Sequence, residues 1–175
     1  MTIKTIFLDR DGVINQEVNY LNKVEDFEFI DEVFKTCFYL RSLGFEIIVV
    51  TNQSGIARGY YSIDDFKALT NWMIGQFKLN NVEILDVLFC PHSPESNCTC
   101  RKPKPGMFFE AKNKHNINMY NSWMIGDSER DIIAASLAGI KNTILVRSGH
   151  KNDERNSKAK YILDSIKDVK NLIKL

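Results

Sequence analysis

The chain has 175 residues, 44% of them apolar, and 23 basic residues against 22 acidic ones leave a net charge of +1. That length fits one domain with a core of its own. The charge balance provides no broad field for nucleic acid or an anionic membrane, so the expected partner is a small molecule. With no obvious exposed apolar stripe, the expected state is monomeric. No apolar run approaches the roughly 18 to 20 residues needed to span a bilayer. The opening stretch meets charge too early for a secretion signal, and the reading is a cytoplasmic protein.

Strand-like and helix-like stretches alternate along the chain. Residues 4–8 are short and rich in Ile and Phe, and end on Asp9. Residues 31–43 carry helical spacing at Val33, Phe34, Cys37, Phe38 and Leu40, and Gly44 stops them. Residues 45–50 are apolar and β-branched, as in a strand buried on both faces. Ser62 followed by Asp64 and Asp65 predicts a helix cap, with the helix running to about Asn80. Residues 82–89 predict a third strand, and a polar, proline-spaced loop follows over 90–105.

Helix returns over Gly106–His115. Trp123–Gly126 is a fourth strand, 129–138 a helix closed by Gly139, and 143–146 a fifth strand. The polar tail over 151–175 holds a short strand near Tyr161–Leu163 and a final helix. The alternation predicts a doubly wound α/β domain over 1–175 with a mainly parallel sheet and right-handed crossovers. Ligands of such sheets bind at the carboxyl ends of the strands. Asp9, Thr51, Cys90 and Asp127 each fall just after a predicted strand.

Asp9-Arg10-Asp11-Gly12 follows the first strand. Residues two apart in extended backbone point the same way, so Asp9 and Asp11 converge. Two carboxylates that close repel unless a cation sits between them or one stays protonated. Hard oxygen ligands suit magnesium, and Asp127 after the fourth strand completes an acidic shell.

Cys90, His92, Cys98 and Cys100 form two paired ligand knuckles, and three thiolates with one imidazole make a closed tetrahedral zinc shell. With no ligand position left for water, such a zinc is structural. It would staple the loop and fix Arg101 and Lys102, which follow the last ligand directly. Cys37 reads as a buried small hydrophobe, and His115 and His150 as ordinary polar residues.

The segment from Phe7 to Asn15 resembles the first motif of the haloacid dehalogenase superfamily of phosphatases. Thr51 resembles its second, Lys102 its third, and Gly126-Asp127 with Asp131 its fourth. The match runs over nearly the whole chain. The resemblance implies a Rossmann-like core without a large cap domain. It implies that Asp9 attacks phosphorus and that Asp11 serves as acid and then base. Magnesium would be held by Asp9, the backbone carbonyl of Asp11 and Asp127. Thr51 and Lys102 would contact the phosphoryl oxygens, and Asp131 would orient Lys102 or a metal-bound water.

Within the superfamily, the Cys-x-His and Cys-x-Cys-Arg-Lys-Pro pattern resembles the group that holds the heptose bisphosphate and histidinol phosphate phosphatases. That resemblance places Glu17, Val18, Asn19 and Tyr20 in one wall of a substrate pocket and Thr51, Asn52, Gln53 and Ser54 in a second. Arg101 would bind the phosphate that is not cleaved, with Arg58 either assisting or solvated. The implied reaction removes the 7-phosphate of D-glycero-D-manno-heptose 1,7-bisphosphate, for a bacterial surface polysaccharide. The alternative substrate is histidinol phosphate. Two departures from many heptose enzymes are the five residues between His92 and Cys98 and the Ser128 that follows Asp127.

Overall fold

A computed structural model describes residues 1–174; Leu175, the end of the predicted tail helix, lies outside the described residues. Six strands form one sheet in the order β3-β2-β1-β4-β5-β6. They are β1 Thr5–Leu8, β2 Glu46–Asn52, β3 Asp86–Cys90, β4 Trp123–Gly126, β5 Asn142–Val146 and β6 Tyr161–Leu163. Every pairing is parallel. The chain steps outward from β1 to β3, then returns to lay β4 on the other side of β1. The strand order therefore reverses between β1 and β4, and a crevice opens there at the strands' carboxyl ends.

Alternation along the strands builds two cores. Ile6, Leu8, Ile47, Val49, Ile125 and Ile144 face helices α1 (Val33–Ser42) and α3 (Ile63–Leu79) and the tail helix α6 (Val169–Leu172). Phe7, Ile48, Val50 and Met124 face α4 (Gly106–His115) and α5 (Glu129–Leu137). A strand covered on both sides has no solvent-facing residue, which is why Ile6, Phe7 and Leu8 of β1 read as an unbroken apolar run. Full burial of each such side chain is worth about 1.5–3 kcal/mol. Cys37 is fully buried in the first core.

The helix caps explain two boundaries. Ser62 accepts from Asp65 N–H while the Asp65 carboxylate accepts from Ser62 N–H, the reciprocal box that starts α3. Helix α1 begins at Val33 rather than at 31 because Glu32 takes a left-handed conformation, φ 59°. Two predicted positions move. Strand β2 runs two residues past 50, so Thr51 and Asn52 lie inside the strand rather than after it, and Cys90 is the last residue of β3. Both extensions follow from pairing, since Thr51 registers with Phe89 and Asn52 with Cys90. A one-turn helix, α2 (Ser54–Ala57), follows β2 without a signal in the sequence reading. The tail helix is a single turn.

Between β1 and α1 the chain makes a long excursion over residues 9–32. Its two arms pair through Gln16 N–H to Glu28 O and Ile30 N–H to Ile14 O, at 2.8 and 2.9 Å. Leu21, Phe27 and Ile30 anchor it in the core, and Tyr20 meets Tyr60 edge-on at 4.6 Å between ring centroids. This excursion supplies one wall of the crevice in the absence of a cap domain.

Candidate active site

The crevice between the ends of β1 and β4 is lined by residues from five segments of the chain. Asp9 follows β1, and its N–H donates to Ile125 O at 3.0 Å, which sets it beside the end of β4 and Asp127. Lys102 reaches in from the 91–105 loop. Its ammonium donates to Asp9 Oδ1 at 2.9 Å, to Asp131 Oδ1 at 2.8 Å and to Val50 O at 2.7 Å. Three acceptors exhaust the three donors of an ammonium. Burial works against the Lys102 charge, but Asp131 and Asp9 outweigh it and hold the amine protonated.

The carboxylates of Asp9, Asp127 and Asp131 bring one oxygen each within 4.8 Å of the others. Burial, together with Asp131, Asp127 and Asp11, pushes the Asp9 carboxyl well above the usual carboxylate range, with Lys102 pulling the other way. Such a site is short of positive charge. Asp127 Oδ2 is taken by His150, whose main-chain N–H donates at 2.9 Å and whose ring Nδ1 donates at 2.7 Å. Asp127 Oδ1 is buried and has no hydrogen-bond partner among the described residues. An unpartnered buried carboxylate oxygen beside a crowded second carboxylate fits a hard divalent cation.

Asp131 is not free for such an ion. Its Oδ1 meets Lys102 and its Oδ2 accepts from Ser128 N–H, so it orients the lysine and caps α5 at once. The Asp11 side chain also turns aside. Arg10 donates to it through Nε and Nη2, Asn15 through Nδ2 at 3.1 Å and Gln53 through Nε2 at 3.3 Å.

The tight packing around Asp127 has no space for side chains. A Cβ on Gly12 (φ +83°) or on Gly149 would fall on Asp127 Oδ2, and one on Gly126 would fall on Asp131.

The predicted walls assemble unevenly. Glu17, Val18, Asn19 and Tyr20 line the crevice from the excursion, and Gln53, Ser54, Arg58 and Arg101 line it as well. Thr51 lies beneath the floor rather than on it, with its hydroxyl accepting from Gln53 Nε2 at 2.8 Å. Asn52 touches the crevice, but its amide pairs twice with the Lys102 main chain, donating to O at 3.1 Å and accepting from N–H at 3.0 Å. That exchange holds the lysine's backbone in place.

Sequence reasoning passed over several residues that line the site. His150, read there as an ordinary polar residue, grips Asp127 from 23 positions away, and nothing in its neighbourhood signalled this. Arg10, 2% exposed, also donates to Leu21 O, so it ties Asp11 to the excursion wall. Tyr61 and Arg130 join the lining as well.

At the crevice edge Cys90, His92, Cys98 and Cys100 converge. Cys90 Sγ lies 3.7 Å from Cys98 Sγ, 3.0 Å from Cys100 Sγ and 3.4 Å from His92 Nδ1, which is 3.3 Å from Cys100 Sγ. A tetrahedron with metal–sulfur bonds of about 2.3 Å has edges of about 3.8 Å, so the four atoms fit a zinc shell that needs little expansion. Burial pushes the Cys90 thiol up to about 12. Burial opposes ionisation of Cys98 too, yet hydrogen bonds from the Arg101 main chain, Cys100 and Cys90 bring it down to about 6. Arg101 donates to His92 O at 3.3 Å, and Gly106 packs so closely under Thr99 that a Cβ would strike its carbonyl.

A family model described as HAD-hydrolase-like matches residues 99–169. The chain is 47% identical over 159 residues, 87% of each protein, to a D-glycero-alpha-D-manno-heptose-1,7-bisphosphate 7-phosphatase of Photorhabdus laumondii. It is 45% identical, over 97% of this chain and 95% of the relative, to a D-glycero-beta-D-manno-heptose-1,7-bisphosphate 7-phosphatase of Vibrio cholerae. Among solved structures, it matches a D,D-heptose 1,7-bisphosphate phosphatase from B. bronchiseptica complexed with magnesium and phosphate. That match has a TM-score of 0.86 and 27% identity, and it covers 97% of both chains.

Proposed function

The chain belongs to the haloacid-dehalogenase-like family of D-glycero-D-manno-heptose-1,7-bisphosphate 7-phosphatases, and on that premise we propose that Asp9 is the group that receives the 7-phosphoryl group. The reaction is hydrolysis of that phosphate monoester. The observation that carries the assignment is the placement of Asp9: at the carboxyl end of β1, at the point where strand order reverses, with a buried ammonium 2.9 Å from its carboxylate.

Asp9 attacks phosphorus, the ester P–O bond breaks, and an aspartyl phosphate forms. Asp11 gives its proton to the departing sugar oxygen. It then takes a proton from the water that attacks the phosphorus of the aspartyl phosphate, which frees phosphate and restores Asp9. Lys102, locked by Asp131, sets positive charge beside the transferred oxygens. Asp9, Asp127 and the Asp11 carbonyl would hold magnesium. When bound, that ion supplies the charge neutralisation that lets an anionic nucleophile approach an anion.

Cys90, His92, Cys98 and Cys100 would hold a zinc ion with a filled shell, a structural role that fixes Arg101 and Lys102 at the crevice. Glu17, Val18, Asn19, Tyr20 and Ser54 form the sugar walls. Arg101, with Arg58 near it, meets the phosphate that stays. A single sheet that draws strands from Thr5 to Leu163 among the described residues supports reading residues 1–175 as one domain.

The test is phosphate release with magnesium from both anomers of the heptose 1,7-bisphosphate and from histidinol phosphate, compared as kcat/KM. The expected lead of a heptose bisphosphate is at least two orders of magnitude, about 2.7 kcal/mol of transition-state discrimination. Relatives of both anomeric preferences match at similar identity, so the better anomer is read from this measurement. A lead for histidinol phosphate would overturn the substrate, and full turnover by Asp9→Asn would overturn the nucleophile.

A further inference from the structure

We propose that Gln53, oriented by Tyr61, is a positioning residue for the acid–base carboxylate Asp11 rather than a contact for the substrate. The inference rests on the reading of Asp11 as the acid that protonates the leaving oxygen.

Every polar position of the Gln53 amide has a protein partner. Its Nε2 donates to Thr51 Oγ1 at 2.8 Å and to Asp11 Oδ2 at 3.3 Å, and its Oε1 accepts the Tyr61 hydroxyl at 2.6 Å. An amide has two N–H donors, and both are committed. Gln53 is 3% exposed, and its own N–H donates to Cys90 O at 2.8 Å, so backbone and side chain are both pinned.

The two ends of this amide are distinct because of Tyr61. A hydroxyl that donates can pair with the amide oxygen and not with the amide nitrogen, so it decides which end faces Asp11. Burial pushes the Tyr61 phenol up to about 12, which keeps it a donor through the working range. The ring in turn lies against Gly55, where a Cβ would run into it. Arg10 and Asn15 hold Asp11 from within its own loop, whereas Gln53, the residue directly after β2, holds it from across the crevice floor. The acid is thereby referenced to the same strand that carries Thr51 and Val50, the latter bonded to Lys102.

Protonation of a leaving oxygen matters for a basic leaving group and hardly for an acidic one, so the ratio of the two reads the acid directly. The experiment measures kcat/KM for propyl phosphate and for p-nitrophenyl phosphate, neither of which has sugar hydroxyls. The variants are Tyr61→Phe, Gln53→Met and Asp11→Asn.

On the proposal, the propyl-to-nitrophenyl ratio falls about tenfold in Tyr61→Phe, further in Gln53→Met, and furthest in Asp11→Asn. Tyr61→Phe keeps the ring against Gly55, so a fallen ratio there reports the lost hydroxyl rather than lost packing. An unchanged ratio in Tyr61→Phe and Gln53→Met, with KM for heptose bisphosphate raised, would overturn the proposal and return Gln53 to the sugar wall. An unchanged ratio in Asp11→Asn would instead remove the acid assignment itself, and the positioning role with it.

Discussion

His150 donates twice to one oxygen of Asp127, from its main-chain N–H at 2.9 Å and from its ring Nδ1 at 2.7 Å. The second carboxylate oxygen of Asp127 is buried without a partner among the described residues. The histidine thus fixes which oxygen remains for a cation, the arrangement in which an outer residue orients a metal ligand.

Burial opposes charge on His150, but the hydrogen bond and charge of Asp127 outweigh it and raise its pKa. A raised folded-state value means the ion pair stabilises fully below the unfolded pKa and is lost as pH rises through the folded one. Magnesium-free protein should therefore lose stability as pH climbs from about 6 to 8. His150→Gln should flatten that part of the profile. Because the ring is half exposed, the effect should stay below about 1 kcal/mol. Thermal melts of both proteins across that range, with zinc retained, check it; parallel profiles would remove the role of the pair.

Asp131→Asn tests the lysine lock. Lys102 and Asp131 form a 2.8 Å ion pair in which both side chains are 2% exposed. Removing one charge of a buried pair usually costs 3–5 kcal/mol. Here Lys102 keeps Asp9 and Val50 O, and Asp9 loses a repelling neighbour, so the stability cost should stay under about 3 kcal/mol. The rate should suffer more, by about 100-fold, because the ammonium is then drawn onto the nucleophile it must share with phosphate. Melting and kcat/KM measured together decide whether the loss is one of chemistry or of folding.

Cys98→Ser should open the zinc shell. Arg101 bonds His92 O, and Asn52 grips the Lys102 main chain from β2, so the loop is held at the knuckle and at the strand. With the knuckle released, the expected result is a tenfold or greater rise in KM and a smaller fall in kcat, since Asn52 still retains Lys102. The far-ultraviolet spectrum should be unchanged, because the strands and helices that build both cores lie outside the loop, which meets only the second core, through Cys98 and Cys100. Full activity in protein shown to lack zinc would refute the staple.

The parts of the site that were legible in the sequence are those whose partners lie close together in the chain. Asp9 and Asp11 are two residues apart on an extended segment, and the four zinc ligands fall within eleven residues. The sheet was legible for a related reason: strands covered on both faces are apolar through their centres, which marks Ile6–Leu8 of β1 and Ile47–Val50 of β2 without an alignment. What escaped depends on long-range pairing. His150 meets Asp127 across 23 residues that include α5 and β5, and Asn52 meets Lys102 across 50 residues. Thr51 and Gln53 were placed in the pocket wall by resemblance. Gln53 does line the crevice, whereas Thr51 is buried beneath it, and the hydroxyl and amide bond each other, a local contact that motif matching does not resolve.

Gly149→Ala should affect the metal more than the fold. Gly149 sits directly over Asp127, where an added methyl would fall on Oδ2, the oxygen that His150 holds. Backbone and carboxylate cannot both keep their places, and Ser148 Oγ bonded to Gly12 O limits how far the loop can lift. Asp127 must then turn, taking Oδ1 out of line with Asp9. Disturbing a ligand's outer support typically weakens metal affinity 10–100-fold. Magnesium titrations of the rate should show a half-saturating concentration raised by that factor, with kcat largely recovered at high magnesium. The upward shift of melting temperature on adding magnesium should shrink in step, since a ligand stabilises according to its concentration relative to its dissociation constant. A variant that matched the parent in both titrations would mean that the contact at Gly149 does not govern the position of Asp127.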